Sequence, residues 1–322
     1  MYLSVISPIY NEYENIPLLY NAVVKALAGI EDWELVLVDD GSGDRSFETL
    51  AELADRDPDH VRVIQLRRNF GQTAAIAAGV DFAKGDLIAL IDADMQNDPA
   101  DIPMMIEKLN EGYDVVSGWR KSRKDNASRR LPSKIANWLI GKVTGVPLHD
   151  YGCTLKIYRR EVLTGFRLYG EMHRFIPAFA NSVGAKIVEV VVLHHPRRFG
   201  KPKYGLERTL KVVLDLFTVK FLTSFSAKPI YLFGGLGISL MLIGLAAFLI
   251  LAIRRLGWGV SVVASPLFSI SIMIFILGVI SVFMGLIAEL LTRAYYESQD
   301  KKTYTIRETR NIGNGSSGSC RG

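Results

Sequence analysis

Two uncharged runs near the C-terminal end constrain this chain more than any other feature. Between Lys228 and Arg254 lie 25 residues without a charged side chain, "PIYLFGGLGISLMLIGLAAFLILAI". Between Arg255 and Glu289 lie 33 more, ending "SPLFSISIMIFILGVISVFMGLIA". A helix crossing the hydrocarbon core needs about 20 apolar residues, so each run is long enough to span a bilayer. Core helices of a globular domain are usually shorter and amphipathic, which disfavours that alternative. Two transmembrane helices are predicted, over 229–253 and 266–288. Gly234, Gly235, Gly237 and Gly244 fall in the first, as expected where helices pack closely in lipid.

The chain has 322 residues, 49% of them hydrophobic, and the apolar excess is concentrated after residue 228. What precedes it is long enough for one large α/β domain. Two spans place both termini on one side of the membrane. Lys211, Lys220, Lys228, Arg293, Lys301 and Lys302 flank that side, against Arg254 and Arg255 in the connection, so the N-terminal domain is expected in the cytoplasm. The opening "MYLSVISPIYNE" turns polar too soon for a secretory signal. Cys153 and Cys320 are the only cysteines; they offer neither a disulfide framework nor metal-ligand spacing, which suits a reducing compartment. The final "NIGNGSSGSCRG" is Gly/Ser-rich and expected to be disordered.

Up to about residue 200 the pattern alternates strand and helix: "YLSVISPIY", "ENIPLLYNAVVKALA", "WELVLVDDGS", "SFETLAELAD", "VRVIQL", "GQTAAIAAGVDFA", "DLIALIDAD", "DIPMMIEKLNEG", "DVVSGW". Such alternation predicts a mostly parallel sheet with helices on both faces. Ligands of open α/β sheets bind beyond the carboxyl ends of the strands. Polar residues collect there: Pro8, Tyr10, Asn11 and Glu12 after the first strand, Asp39 to Ser42 after the second, Asn69 to Gly71 after the third, and Asp92, Asp94 and Gln96 after the fourth. Any one cluster reads as a cap or a turn. Four on one rim define a concave site with acids at its centre.

No GxGxxG follows the first strand and no GxxxxGK[ST] occurs, so neither a dinucleotide fold nor a P-loop is supported. Phosphates binding here would need a divalent cation. Asp94, the amide oxygen of Gln96 and Asp92 form an oxygen-donor set suited to Mg²⁺ or Mn²⁺.

"SPIYNE", "VDDGSGD", "NFGQTAAIAAG" and "DADMQNDP" resemble the successive motifs of family 2 glycosyltransferases with the GT-A fold. The order through "SGWR", "RRLPSK", "DYGCTLKIYRR", "HRF" and "RRFGKPKYG" resembles the polyisoprenyl-phosphate glycosyltransferases, the group of dolichol-phosphate mannose synthase and bacterial bactoprenol glucosyltransferases. The resemblance covers residues 2 to about 210. It implies that Pro8, Tyr10, Glu12, Asp39, Asp40 and Asp92 hold the nucleotide, with Gly71 and Gln72 closing the pocket. It also implies that Asp92 and Asp94 are the DxD acids, and that Gln96 adds a metal ligand. Arg120, Arg129 and Ser133 match positions that bind the acceptor phosphate, and Arg197 and Lys203 match candidates for the diphosphate or that phosphate. Pro202 stands where the family has Ser, which puts any role of that hydroxyl in doubt. Asp150 aligns with an acid before a glycine turn, and Asp94, Asp150 and Arg120 are the candidate catalytic residues.

Between Trp119 and Lys134 seven basic residues face one acid, a local excess of +6 against +5 for the whole chain. No aromatic stacking platform accompanies them, which disfavours nucleic acid. Lys121 to Lys124 suit an anionic membrane surface and Arg120, Arg129 and Ser133 a lipid phosphate. Residues 206–228 have the spacing of amphipathic interfacial helix. The domain reading is thus a GT-A catalytic domain over 1–205, interfacial helices over 206–228, two spans within 229–291, and a cytoplasmic tail over 292–322.

By resemblance, the expected activity is inverting transfer of a hexose, glucose from UDP-glucose, to undecaprenyl phosphate at the bacterial inner membrane, with Mg²⁺ or Mn²⁺ and as a homo-oligomer. GDP-mannose and UDP-aminosugars are the alternative donors. A processive polysaccharide synthase is disfavoured because no QxxRW motif occurs. A non-catalytic scaffold binding nucleotide or lipid is disfavoured by the intact Asp94 and Gln96.

Overall fold

The first strand is buried on both faces, and it becomes the middle of the sheet. β1 (Leu3–Ile9) pairs in parallel with β2 (Trp33–Asp39) on one side and β4 (Leu87–Leu90) on the other. Strands covered from both sides are mostly apolar, as in LIAL of β4, and the buried Ser4 of β1 donates to Glu34 of β2 at 2.6 Å. The computed structural model describes residues 2–121, 137–164, 172–196, 230–258, 265–298 and 303–312. The chain divides into two units, Met1–Val219 with Lys302–Gly322, and Lys220–Lys301.

β3 (Val61–Leu66) extends the parallel order beyond β2. On the other side the alternation breaks. β6 (Lys156–Arg159) inserts antiparallel between β4 and β5 (Val115–Trp119), and β7 (Ile187–Val191) lies parallel on the outer side of β5. The sheet order is β7-β5-β6-β4-β1-β2-β3-β8.

Three helices, α1 (Ile16–Ala26), α2 (Ser46–Arg56) and α4 (Ile102–Asn110), bury Leu19, Leu50 and Met105 in one cluster with Val5, Leu37 and Ala89 of the sheet. α3 (Gln72–Phe82) packs on the opposite side chains of β1 and β2. Its small residues allow a close approach: a Cβ at Gly79 would lie 2.3 Å from Ile6 Cγ2. Shorter helices follow: α5 (residues 137–144), α6 (Arg160–Thr164) and α7 (Ile176–Ser182).

The strand β8 (Ile306–Arg310) was not expected from the sequence. It pairs antiparallel along β3, with Arg310 opposite Val63 and Ile306 opposite Leu66. The Tyr304 hydroxyl donates to Asp81 of α3 at 2.6 Å, and Asn311 Nδ2 donates to Ala54 O at 2.7 Å and Val61 O at 3.1 Å. Part of the segment read as a tail thus completes the sheet, covering an edge that would otherwise present unpaired backbone groups.

In the second unit α8 (Ile230–Trp258) packs against α9 (Pro266–Ser298). A Cβ on Gly237 would lie 2.6 Å from Gly278 O, one on Gly278 would lie 2.6 Å from Gly237 O, and one on Gly244 would lie 2.8 Å from Ser271 O. The glycines are the contact. Gly235 faces open space. Ser281 Oγ donates to Phe233 O across the pair at 2.9 Å. Both helices are long and apolar enough to cross a membrane, and only 17% of each apolar window, Phe233–Gly257 and Pro266–Ala288, is buried. The expected interfacial helices at 206–228 lie outside the described residues.

Candidate active site

The carboxyl ends of β1 to β4 form one rim, and side chains tie their loops together. After β1, the Asn11 N–H donates to Ser42 Oγ at 3.0 Å, Asn11 Oδ1 accepts from Gly43 N at 2.8 Å, and the Glu12 N–H donates to Ser46 Oγ at 3.0 Å. Asn11 and Met95, two of the three described non-glycine residues with positive φ (53° and 58°), both lie on this rim. Such backbone costs energy and concentrates at working sites.

The two acids after β2 do different things. Asp40 Oδ1 and Oδ2 accept the N–H groups of Phe70 and Gly71 at 2.7 and 2.9 Å, so this carboxylate clamps the β3–α3 loop. Asp39 is fully buried; its Oδ1 accepts from Ser42 N at 3.1 Å, and Oδ2 has no partner in hydrogen-bonding geometry. Burial pushes its pKa above the usual carboxylate value, with Ser42 and Gln65 opposing in part. An unspent buried acceptor at a strand end suits a base or ribose donor.

Asp92 Oδ1 accepts from Gln72 Nε2 at 2.7 Å and Oδ2 from Thr154 Oγ1 at 2.6 Å. Burial, then the charge of Asp94, raise its pKa to about 6, with Thr154, Arg120 and Lys156 pulling the other way. Asp94 is 7% exposed, and its Oδ1 accepts from Gln96 N at 3.1 Å. Two carboxylates that penalise one another's charge fit a divalent cation. Among the described residues no three His, Cys, Asp or Glu side chains converge. The protein would therefore contribute few oxygen ligands and leave the rest to phosphate and water, as Mg²⁺-type sites do.

Across the rim, Arg120 Nε and Nη2 donate to the two oxygens of Asp150 at 2.7 and 3.0 Å. Burial works against the guanidinium charge, and the hydrogen bonds and charge of Asp150 outweigh it, so the Arg120 pKa lies above its ordinary value. Glu189 of β7 fixes the turn carrying Asp150: Oε1 accepts from Asp150 N at 2.9 Å, and Oε2 from His149 N at 3.0 Å and contacts His149 Nδ1 at 2.7 Å. His149 in turn stacks on Trp119, with ring centroids 4.2 Å apart. Asp150 is thus held as an orienting acid rather than a free base.

Beside Asp92 a cavity of about 80 Å³ opens between α3, β6 and the turn Met172–Arg174. Lys156, 3% exposed, lines it and donates to Tyr151 O at 3.4 Å and to Cys153 O. Burial lowers the pKa of this ammonium. The Tyr158 hydroxyl is buried without a partner. His173 Nδ1 is 2.8 Å from Thr73 Oγ1; burial, then the charges of Arg174 and Lys156, lower its pKa to about 3.

The structure therefore gathers Asp39, Asp40, Gly71, Gln72, Asp92, Asp94 and Gln96 on one rim with Pro8, Tyr10 and Glu12, and joins Arg120 to Asp150. Arg129, Ser133, Arg197 and Lys203 lie outside the described residues. Thr154, Lys156, Tyr158 and Glu189 were not read from the sequence. For two of them a signal existed: Lys156 and Glu189 are single charges inside the apolar strand runs "TLKIY" and "IVEVVV".

Solved structures place the fold. Glucosyl-3-phosphoglycerate synthase from Mycobacterium tuberculosis, with Mn²⁺ and UDP-glucose, matches with a TM-score of 0.50 at 18% identity, over 69% of this chain and 78% of that one. A mannosyltransferase from Pyrobaculum calidifontis, with GDP-Man and Mn²⁺, matches with a TM-score of 0.51 at 17% identity, over 69% and 63%. The fold is thus that of GT-A sugar transferases. The profile of glycosyl transferase family 2 matches residues 4–166. Dodecaprenyl-phosphate galacturonate synthase of Rhizobium johnstonii is 41% identical over 95% of this chain and 92% of its own length. Undecaprenyl-phosphate 4-deoxy-4-formamido-L-arabinose transferase of Pectobacterium atrosepticum is 37% identical over 95% and 93%. The chain belongs to glycosyl transferase family 2, in its polyprenyl-phosphate branch.

Proposed function

We propose that the protein transfers one glycosyl group from a nucleotide diphosphate sugar to a polyprenyl phosphate, with inversion, while anchored in a membrane by α8 and α9. The observation that carries this is the buried Asp92–Asp94 pair facing the Arg120–Asp150 pair across one rim. A lipid phosphate oxygen attacks the anomeric carbon as the bond to the nucleotide diphosphate breaks, and the diphosphate leaves with the electron pair. A phosphate monoester is largely ionised near neutral pH, so no general base is required. When bound at Asp94 with Asp92 and Gln96, Mg²⁺ or Mn²⁺ supplies positive charge to the departing diphosphate. Asp39 receives a nucleobase or ribose donor, Asp40 shapes the loop over it, and Asp150 aims Arg120 at an anionic oxygen. By resemblance to the family, Arg129, Ser133, Arg197 and Lys203 are assigned to phosphate recognition.

Glucose from UDP-glucose is the donor expected from the resemblance to bactoprenol glucosyltransferases, whereas the two relatives above carry galacturonate and 4-deoxy-4-formamido-L-arabinose in their names. The catalytic unit faces the cytoplasm, where nucleotide sugars are made. The test is purified full-length protein in detergent with undecaprenyl phosphate, Mn²⁺ or Mg²⁺ and a panel of UDP- and GDP-sugars, the lipid product being weighed by mass spectrometry. One donor should give a lipid heavier by a single glycosyl unit, chelator should stop the reaction, and Asp94→Asn should cost on the order of 100-fold or more. Full turnover in excess chelator sinks the reading.

A further inference from the structure

One strip of chain at the edge of the sheet, residues 189–195, touches both halves of the site. Near its start the Glu189 side chain, 10% exposed, accepts the N–H groups of His149 and Asp150, and Asp150 in turn holds Arg120. Just beyond β7 the Val192 N–H donates to Trp119 O, next to Arg120, at 3.1 Å. The chain then reaches the loop of Asp94 and Gln96. The Leu193 N–H donates to Asp101 Oδ2 at 2.7 Å, His194 forms an antiparallel bridge with Asn97, and the His195 N–H donates to Gln96 O at 2.8 Å. The His195 ring closes the contact, with Nε2 3.0 Å from Asp98 Oδ2.

The loop so held carries strained backbone. Met95, between Asp94 and Gln96, has a φ of 58°, which costs energy in any residue but glycine and persists only where the surroundings enforce it. Inside the loop, Gln96 N donates to Asp94 Oδ1 at 3.1 Å. From outside, residues 193–195 add the bonds just named. Transfer in line needs the attacking and departing oxygens on opposite sides of one carbon, and a misplacement of about 1 Å costs on the order of 100-fold. Seven extended residues reach roughly 20 Å. We propose that residues 189–195 form a brace that sets the spacing between Arg120 and the Asp94–Gln96 loop, with Glu189 and His195 as positioning residues acting through Asp150 and Gln96. This rests on the sugar-transfer reading above and adds what aligns the two phosphate-binding sides.

The experiment places Glu189→Gln, His195→Pro, His195→Ala and His195→Gln in the full-length protein in detergent, with Glu189→Gln and His195→Pro also combined. Amide hydrogen exchange is followed by mass spectrometry without donor, and kinetics use the nucleotide sugar that gives product. Glu189→Gln should speed exchange in the peptide over 93–98, which Glu189 does not touch. His195→Pro, which removes the N–H bonded to Gln96, should speed exchange over 149–152. Each should lower kcat about 10-fold, while the lipid KM and the affinity for Mn²⁺ with UDP move less than about 3-fold. The combined variant should lose little more than the worse single one, because one freed end already releases the spacing; independent supports would multiply to about 100-fold. His195→Ala keeps the N–H, loses the ring, and should show the same pattern on a smaller scale, which carries the test where the proline variant does not fold. His195→Gln, whose Nε2 reaches for the same Asp98 oxygen, should restore most of the rate. Exchange changes confined to the mutated end, or losses that multiply, overturn the brace. Remote exchange changes in a protein that makes no product from any donor keep the brace and sink the transfer reading instead.

Discussion

Asp40→Asn separates two accounts of an acid at the end of β2. The side chain is 3% exposed, and its oxygens accept the N–H groups of Phe70 and Gly71 at 2.7 and 2.9 Å. Asparagine keeps the shape but turns an NH₂ group toward one of those N–H donors, so one bond is lost and one donor is orphaned. A hydrogen bond to a charged group contributes about 1.5–3 kcal/mol. Relief of the buried charge offsets part, because burial already pulls this carboxylate toward its protonated form. A net loss of about 1–2 kcal/mol is expected, roughly 2–8 °C in thermal midpoint.

The consequence for activity runs through Gly71, whose φ of 96° and ψ of 157° suit glycine alone, into Gln72, which holds Asp92. A loosened loop should raise KM for the donor several-fold and change kcat and the lipid KM less. Gly71→Ala should reproduce this by another route: its Cβ meets nothing within 4 Å, so only the backbone is penalised, by about 1–3 kcal/mol. Thermal midpoints and separate donor and lipid titrations decide the matter. If Asp40→Asn abolishes transfer at an unchanged midpoint while Gly71→Ala behaves as wild type, the clamp account is refuted and Asp40 contacts the nucleotide.

In the helix pair, Gly237→Val forces a methyl group against the Gly278 carbonyl and should lower the detergent midpoint by an amount equivalent to roughly 1–3 kcal/mol, whereas Gly235→Val, facing open space, should not; equal effects would show the two helices packed otherwise. His173 has a folded pKa near 3 against an unfolded value near 6.5, so between them the unfolded chain binds more protons and stability falls as pH drops below about 6.5. The slope approaches 1.4 kcal/mol per pH unit at most, and midpoints recorded from pH 8 to 4.5 should fall more steeply for wild type than for His173→Gln. Superimposable curves would mean that the ring is not buried and neutral. Tyr304→Phe, which loses the bond to Asp81, should cost about 1 kcal/mol, read as a lowered midpoint; an unchanged midpoint would show that the contact adds nothing.

The parallel half of the sheet was legible because each strand there is an apolar run followed by its polar rim, and the period changes from two to 3.6 at every loop. β6 was not, since it is four residues long with a charge at each end, Lys156 and Arg159, and enters the sheet out of sequence order, antiparallel between β4 and β5. β8 was hidden for a different reason. Arg307, Glu308 and Arg310 lie on an edge with no second strand to cover them, so no hydrophobic alternation marks them. In the site, acids at strand ends were visible, but their division of labour was not. Asp39 and Asp40 are adjacent and identical in sequence, and only their partners show one with an unspent oxygen and the other bound to a loop. Glu189 stood out as a charge in an apolar run, but its partner Asp150 lies 39 positions away, and the Tyr158 hydroxyl has no partner, so no local pattern records what either does.

β8 also brings a late part of the chain back to the sheet. Residues up to Val219 and from Lys302 belong to one unit, and the two helices lie between them. β8 reaches its place by hydrogen bonding to β3. That ladder joins distant parts of the chain: Asn311 meets Ala54 across 257 positions. Closing so long a loop costs little more than closing one half its length, yet it delays the contact, since the intervening helices are synthesised first. Until β8 arrives, the edge of β3 is bare and open to strand addition from another chain. Deleting residues 303–322 should therefore leave the sheet able to form while making the protein self-associate, seen as growth in particle size on gentle warming. A truncated protein that stays as dispersed as the full chain would show that β8 does not guard that edge.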